Sequence, residues 1–352
     1  MVPPLEGRVG METGNPVFSH IGKTVTQDVY NRFGLLLIPA GTVLRVTDVE
    51  LLRAHQIDSI ETADSREHDT PLREASYLYQ STLEQTKQLF SHITESSIPP
   101  LPKFNEAFFP LLSNALKHSG LLRLFYLREG SEDYTYRHSI HVGILSALIG
   151  KLLNLSPDDI ILLGQAGLLH DVGKVLIPLD ILLKPSPLTP FEFERMKQHT
   201  TLGAALIHNM DGASRVIALS ALLHHERLDG SGYPEGRTGD LIPLMAKIVS
   251  VADVFDAICS DRVYKKGISP FDGAAVLWQL CCEGKVNPDI VIPFIRYISQ
   301  LYVGSQAVLN SGERVEVIMV HTDEPLRPLV RKGEVYLDLR QHRSLSITQV
   351  IG

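Results

Sequence analysis

The run Leu162-Leu163-Gly164-Gln165-Ala166-Gly167-Leu168-Leu169 leads directly into His170-Asp171-Val172-Gly173-Lys174. An apolar helix that stops on an imidazole and a carboxylate puts two metal-binding groups at a rigid end, and Gly173 reads as the cap residue that stops it. Imidazole binds a transition metal through one nitrogen, whereas a carboxylate has two oxygens and can bridge two ions. The same pattern recurs outward from this point. Val216 to Leu223 is another apolar helical stretch, and it ends in His224-His225, whose rings lie about 100° apart around a helix axis and can reach different points of one centre. Asp253, within the apolar Ile248 to Ile258, is placed to close the ligand set. On the other side His138 and His141 lie one helical turn apart, and the residues alone leave open which of them faces the centre. His208 is assigned to structure or surface. Of the 14 histidines in the chain, half therefore crowd into one region, counting His199 with those just named.

The surroundings of these residues read as a helical bundle. Ser156-Pro157-Asp158-Asp159, Thr189-Pro190-Phe191-Glu192 and Ser269-Pro270-Phe271-Asp272 each combine a capping hydroxyl, a first-turn proline and an acid. The hydroxyl satisfies an orphan amide, proline sits where no amide partner is needed, and the carboxylate meets the positive helix end. Helical period runs from Ser131 to about Tyr302. Upstream, Ile21 to Thr62 reads as a small mixed module with a turn at Pro39-Ala40-Gly41 and a helix starting at Thr47, Ser65 to Thr70 as a polar linker, and Glu74 to Ile93 as a helix. The prolines between Ser96 and Pro102 break that helix before another extending to about Glu129. After Gly304 the pattern turns to short alternating runs, Gln306 to Asn310, Arg314 to Val320 and Glu334 to Leu339. The expected order is a regulatory α/β module at 1–65, a helical connector at 66–128, a catalytic helical domain at 129–302 and a short β appendage at 303–352.

Composition narrows the class. With 352 residues, 44% hydrophobic and 21% charged, the chain can bury a real core, and a net charge of -7 argues against a general binder of polymeric nucleic acid. Three cysteines, Cys259, Cys281 and Cys282, are too few for a disulfide framework, so a reducing cytoplasm is expected. No signal peptide and no membrane span is read. Lys174, Arg227, Arg262, Lys265 and Lys266 supply positive charge near the ligand candidates in sequence, as phosphate chemistry requires. The loop Asp229-Gly230-Ser231-Gly232-Tyr233-Pro234 offers one aromatic face, able to stack on a base or bond a phosphate.

Taken together the motifs resemble the HD-GYP family, a branch of the HD phosphohydrolases. The resemblance runs from about Tyr134 to Lys266. It covers Tyr134-Thr135-Tyr136-Arg137-His138-Ser139, the His170 to Lys174 motif, Lys184-Pro185, Met196-Lys197-Gln198-His199, the segment His224 to Pro234, Val251 to Ala257 and Ser260 to Tyr264. It implies a mainly α protein: an HD-type helical bundle with a small N-terminal mixed α/β module and a short C-terminal β appendage. It also selects His138 over His141 and promotes His199, which the isolated residues do not single out. By the resemblance His138, His170, Asp171 and Asp253 hold one ion, and Asp171, His199, His224 and His225 the other. Lys174, Tyr233, Arg262 and Lys265 match positions that contact substrate, and Asp171 and Lys174 carry catalysis.

What the resemblance implies is a phosphodiesterase that uses two divalent transition-metal ions, iron or manganese favoured over nickel or zinc, to hydrolyse cyclic di-GMP. A metal-bridging hydroxide would attack, giving linear pGpG and, if a second cleavage follows, GMP. The alternatives are an HD hydrolase of another cyclic dinucleotide and a non-catalytic cyclic di-GMP sensor. Protein partners through the Gly232-Tyr233-Pro234 loop or the N-terminal module, and a homodimer, are left open. Some relatives carry a glutamate one turn before the first histidine, where it helps hold a third ion. Here Tyr134 stands at that position, and a neutral phenol is a poor ligand, so two ions are expected.

Overall fold

The computed structural model describes residues 20, 23–30, 36–44, 48, 49, 51, 52, 55, 57, 59–63, 65–95, 97–118, 133–260 and 268–351. The chain divides into two compact units between Tyr77 and Leu78. In the first unit β1 (Thr24–Val25) pairs antiparallel with β4 (Thr62–Ala63), and β2 (Val29–Tyr30) with β3 (Leu36–Ile38). Val25, Ile38, Leu44, Val49 and Leu52 form its small core. The helix start expected at Thr47 lies outside the described residues. Helix α1 spans Ser65–Ser91, so the polar stretch Ser65 to Thr70 is helix and not linker. It holds no aliphatic or aromatic residue, so hydrophobic periodicity has nothing to register there.

The second unit is mainly helical, as expected. Helix α2 (Leu101–Lys117) follows the proline break, with Pro102 in its first turn, where a missing amide costs nothing. Then come α3 (Tyr134–Leu152), α4 (Pro157–Leu169), a 3-10 turn at Val172–Leu176, α5 (Pro190–Lys197), α6 (His199–His208), α7 (Arg215–Leu223), α8 (Leu244–Cys259), α9 (Pro270–Cys282) and α10 (Pro288–Gln300). The three predicted caps hold: Ser156 Oγ accepts from Asp159 N at 3.2 Å, Ser269 Oγ from Asp272 N at 3.2 Å, and Thr189 forms a reciprocal capping box with Glu192. Together with a lysine at Lys184, that box holds the Glu192 carboxyl down at about 2, the Lys184 hydrogen bond being the larger cause. Among the described residues no helix is long and apolar enough to cross a membrane.

Close helix contacts position the later site. A Cβ on Gly167 would meet the Val142 carbonyl and the Gly143 backbone at 2.6 to 2.8 Å, so α4 and α3 cross backbone to backbone. Around that crossing Phe108, Ile140, Ile144, Leu163, Leu168, Phe255 and Phe294 are buried in one continuous core. The C-terminal appendage is a five-stranded antiparallel sheet ordered β8-β7-β6-β5-β9, formed by β5 (Gln306–Leu309), β6 (Arg314–Met319), β7 (Leu329–Lys332), β8 (Val335–Asp338) and β9 (Ile347–Ile351). Two of its strands, β7 and β9, are additions to the expected runs. Leu329–Lys332 is squeezed between Pro328 and Gly333, residues that read as dividers, and β9 acquires its partner only by returning to pair with β5.

Candidate metal centre

Three helix ends and two helix interiors converge. His170 caps α4, Asp171 follows it, His199 opens α6, His224 caps α7 with His225 beyond, and Asp253 projects from α8 opposite His138 of α3. Gly173, expected as a helix cap, has a different task. It lies inside the 3-10 turn, and a Cβ there would fall on the His199 carbonyl and the Gly203 backbone. Only glycine lets that turn press against α6, and the contact brings Asp171 beside His199.

The carboxylate of Asp171 lies at the middle. Its Oδ2 is 3.2 Å from His170 Nε2 and 3.6 Å from His138 Nε2, while its Oδ1 is 3.2 Å from His199 Nε2 and 3.8 Å from His224 Nε2. Two ligands ~2.1 Å from a common ion lie about 3.0 to 3.4 Å apart at ordinary coordination angles. The ligand atoms of Asp171, His199, His224 and His225 all lie within 4.8 Å of one another, and so do those of His138, His170 and Asp171. Asp253 joins the second group through Oδ1, 3.1 Å from His138 Nε2 and 3.9 Å from His170 Nε2, and its Oδ2 is 3.8 Å from His225 Nδ1.

The imidazoles are held in one orientation. His170 Nδ1 is 2.7 Å from the Gly167 carbonyl, His199 Nδ1 2.7 Å from that of Met196 and His224 Nδ1 2.8 Å from that of Ala221. A carbonyl can only accept, so each Nδ1 carries the proton and each Nε2 presents a lone pair to the cluster. His138 turns its Nδ1 proton to a carboxylate, 2.7 Å from Asp256 Oδ2. Asp171 Oδ1 and His170 Nε2 are buried and find no hydrogen-bond partner among the described residues. Leaving such atoms unsatisfied costs about 1 to 3 kcal/mol each, and a cation between them would remove that cost.

Protonation follows the same geometry. Burial drives His199 and His224 below the usual imidazole range and His225 down to about 3, so all three stay neutral. For His138 burial acts downward, but hydrogen bonds to Asp253 and Asp256 outweigh it and raise the ring to about 9. Burial would raise Asp171 and Asp253, yet neighbouring imidazoles, with Lys174 for Asp171 and chiefly the His138 bond for Asp253, hold both carboxyls well below their ordinary range. A divalent ion would take the place of the proton that His138 shares with Asp253. The residues fit a divalent metal centre.

The mouth is open on the side of Lys174 and His225, whose side chains keep 21% and 19% exposure. Lys174 Nζ pairs with Asp171. The Tyr233 ring lies 4.6 Å from that of His225, and burial with the two site carboxylates pushes its phenol up. Glu226 is buried and accepts from the backbone amides of Glu235 and Arg237 at 2.8 and 2.9 Å, which ties down the loop bearing Tyr233. Arg227 turns inward, donating to Ser250 Oγ at 2.7 Å and to the Glu226 carbonyl at 2.9 Å. Arg262 and Lys265, with Lys266, lie outside the described residues.

Four residues at the site were given no role by sequence reasoning. Asp256 and His141 support His138 from behind, and the i, i+3 spacing of Asp253 and Asp256 on one helix was the available signal. Phe193 and Lys197 face Tyr233, with ring centroids 6.2 Å apart and the Lys197 ammonium 5.4 and 5.7 Å from the two rings. Tyr134 stacks on His138 at 5.4 Å and 12°, while Asp133 pairs with Lys87 at 3.1 Å.

Residues 127–289 match the family model described as the HD domain. The chain is 35% identical over 221 residues to the cyclic di-GMP phosphodiesterase PA4108 of Pseudomonas aeruginosa, covering 62% of this chain and 52% of that protein. It is 46% identical over 173 residues to a cyclic di-GMP phosphodiesterase of Thermotoga maritima, covering 48% and 46%. It is also 34% identical over 161 residues to the 3'3'-cGAMP-specific phosphodiesterase 3 of Vibrio cholerae, covering 46% and 35%. The fold, the His and Asp cluster and these matches define the central region as a helical domain with a metal-type site. That region matches the HD domain family, and its motifs resemble the HD-GYP branch. The chain spans about half the length of the first two relatives.

Proposed function

We propose that this chain is a metal-dependent phosphodiesterase that hydrolyses cyclic di-GMP to the linear dinucleotide. The observation that carries this reading is Asp171, whose two oxygens face two separate groups of imidazoles. His138, His170, Asp171 and Asp253 would hold one ion, and Asp171, His199, His224 and His225 the other. When bound, the ions supply Lewis acidity and an activated water. Iron or manganese is favoured, with nickel and zinc also suited to this donor set.

The protein's own residues do the rest. Lys174, beside Asp171 at the open mouth, places a cation where phosphoryl oxygens must lie and offsets their developing charge. Tyr233, kept neutral by its surroundings, offers a ring face to a base and a hydroxyl to a phosphate. Arg262 and Lys265 are proposed as further phosphate contacts. A stacked ring at Tyr134 and a salt-bridged Asp133 favour two ions over three, and with two ions the linear product accumulates. The four-part division at 65, 128 and 302 is retained as a proposal, with the N-terminal module as regulator in a cytoplasmic protein.

A second reading, action on a mixed cyclic dinucleotide, is favoured by the Vibrio cholerae relative. Chromatography of products after incubation with cyclic di-GMP and with 3'3'-cGAMP, using protein purified without oxygen, separates the two. Faster appearance of pGpG supports the first reading. Preference for 3'3'-cGAMP supports the second, and binding of cyclic di-GMP without any product makes the protein a sensor.

A further inference from the structure

Behind His138 a line of buried polar groups leads away from the cluster to α1. Asp256, fully buried, accepts from His138 Nδ1 through Oδ2 at 2.7 Å and from His141 Nδ1 through Oδ1 at 2.9 Å, with Ser260 Oγ donating to Oδ1 at 3.1 Å. His141 Nε2 in turn lies 2.8 Å from Tyr79 Oη, and both of those residues are buried. A carboxylate only accepts, so both imidazoles carry a proton on Nδ1, and the Tyr79 hydroxyl meets the other His141 nitrogen.

We propose that Tyr79 and His141 are positioning residues for His138, acting through Asp256 to fix the direction and donor strength of its Nε2. The inference rests on the metal-centre reading above. A polar line of this kind in a low-dielectric interior polarises along its length, and the outer partner of a ligating imidazole sets both ring angle and basicity. The alternative, that the line merely satisfies buried groups, would make Tyr79 a packing residue. Its ring does pack on His141, with centroids 5.7 Å apart, so a test must keep the ring and remove only the hydroxyl.

Tyr79→Phe does this. Metal-free wild type, Tyr79→Phe, His141→Asn, His141→Leu and the double variant Tyr79→Phe with His141→Leu are titrated with Mn²⁺ against a fluorescent chelator, with circular dichroism to verify folding. Changes to outer partners of metal ligands typically shift affinity about 10- to 100-fold, and one step further out Tyr79→Phe should weaken the affected ion by about 3- to 10-fold. His141→Asn, whose amide can still donate to Asp256 but cannot reach Tyr79, should match it, and His141→Leu should lose more. In the His141→Leu background Tyr79→Phe should have no further effect. Unchanged Mn²⁺ affinity in Tyr79→Phe, or the same loss with and without His141, overturns the inference while leaving the metal centre intact. Wild-type protein that takes up no ion overturns the metal reading and this inference together.

Discussion

At the scale of single residues, Asp171 and the buried imidazoles decide what the site can do. Asp171→Ala removes the one group shared by both clusters, so bound metal should fall steeply and turnover by more than about 100-fold, since even outer partners of ligands cost that much. Wild-type metal content in that variant, measured by elemental analysis, would contradict the shared-ligand role. The pH dependence of the metal-free protein follows from the same residues. His199, His224 and His225 have folded values below 6.5, so their stabilising contribution is complete above 6.5 and is lost as pH falls below it. Each contributes a slope of up to about 1.4 kcal/mol per pH unit there. His138, raised to about 9, acts oppositely: its contribution is complete below 6.5 and is lost as pH rises through 9. Thermal melts of chelator-treated protein should therefore peak near neutrality and fall more steeply on the acid side. A steeper alkaline loss would show the protonation pattern to be wrong. The sequence grouped these residues as candidates, His138 and His199 only through the family resemblance. The pairing of Asp256 with His138 and His141 was not readable there, since it depends on how α8 lies across α3.

Among the elements, helix starts were legible and helix contacts were not. A hydroxyl, a proline and an acid determine a helix start locally, and the starts at Pro157, Pro190 and Pro270 follow that rule. Gly173 illustrates the limit. Its local reading is a cap, but its requirement comes from the α6 backbone, 26 or more positions along the chain at His199 and Gly203. Strands β7 and β9 were missed for the same reason, because a short strand is defined by its neighbour. Gly173→Ala should push the 3-10 turn away from α6, destabilise the protein by about 1 to 3 kcal/mol as overpacking does, and weaken metal uptake through Asp171 and His199. Denaturant melts and a Mn²⁺ titration check this; an alanine variant with unaltered stability and affinity would mean that the turn has room to spare.

For the molecule as a whole, every candidate ligand, each of their hydrogen-bond partners and Tyr79 belong to the second unit, which begins at Leu78. A chain starting at Ser65, with α1 whole, should keep the metal content of the full protein, and loss of the ions on that truncation would contradict the assignment of the site to one unit. The central claim is that two ions held by one shared carboxylate perform hydrolysis. It is tested most directly by reconstituting metal-free protein anaerobically with Mn²⁺ or Fe²⁺ while following both bound metal and pGpG formed from cyclic di-GMP. Product formation should rise until two ions per chain are bound and then level off. Full activity with a single ion bound, or no cleavage with both ions in place, would contradict it.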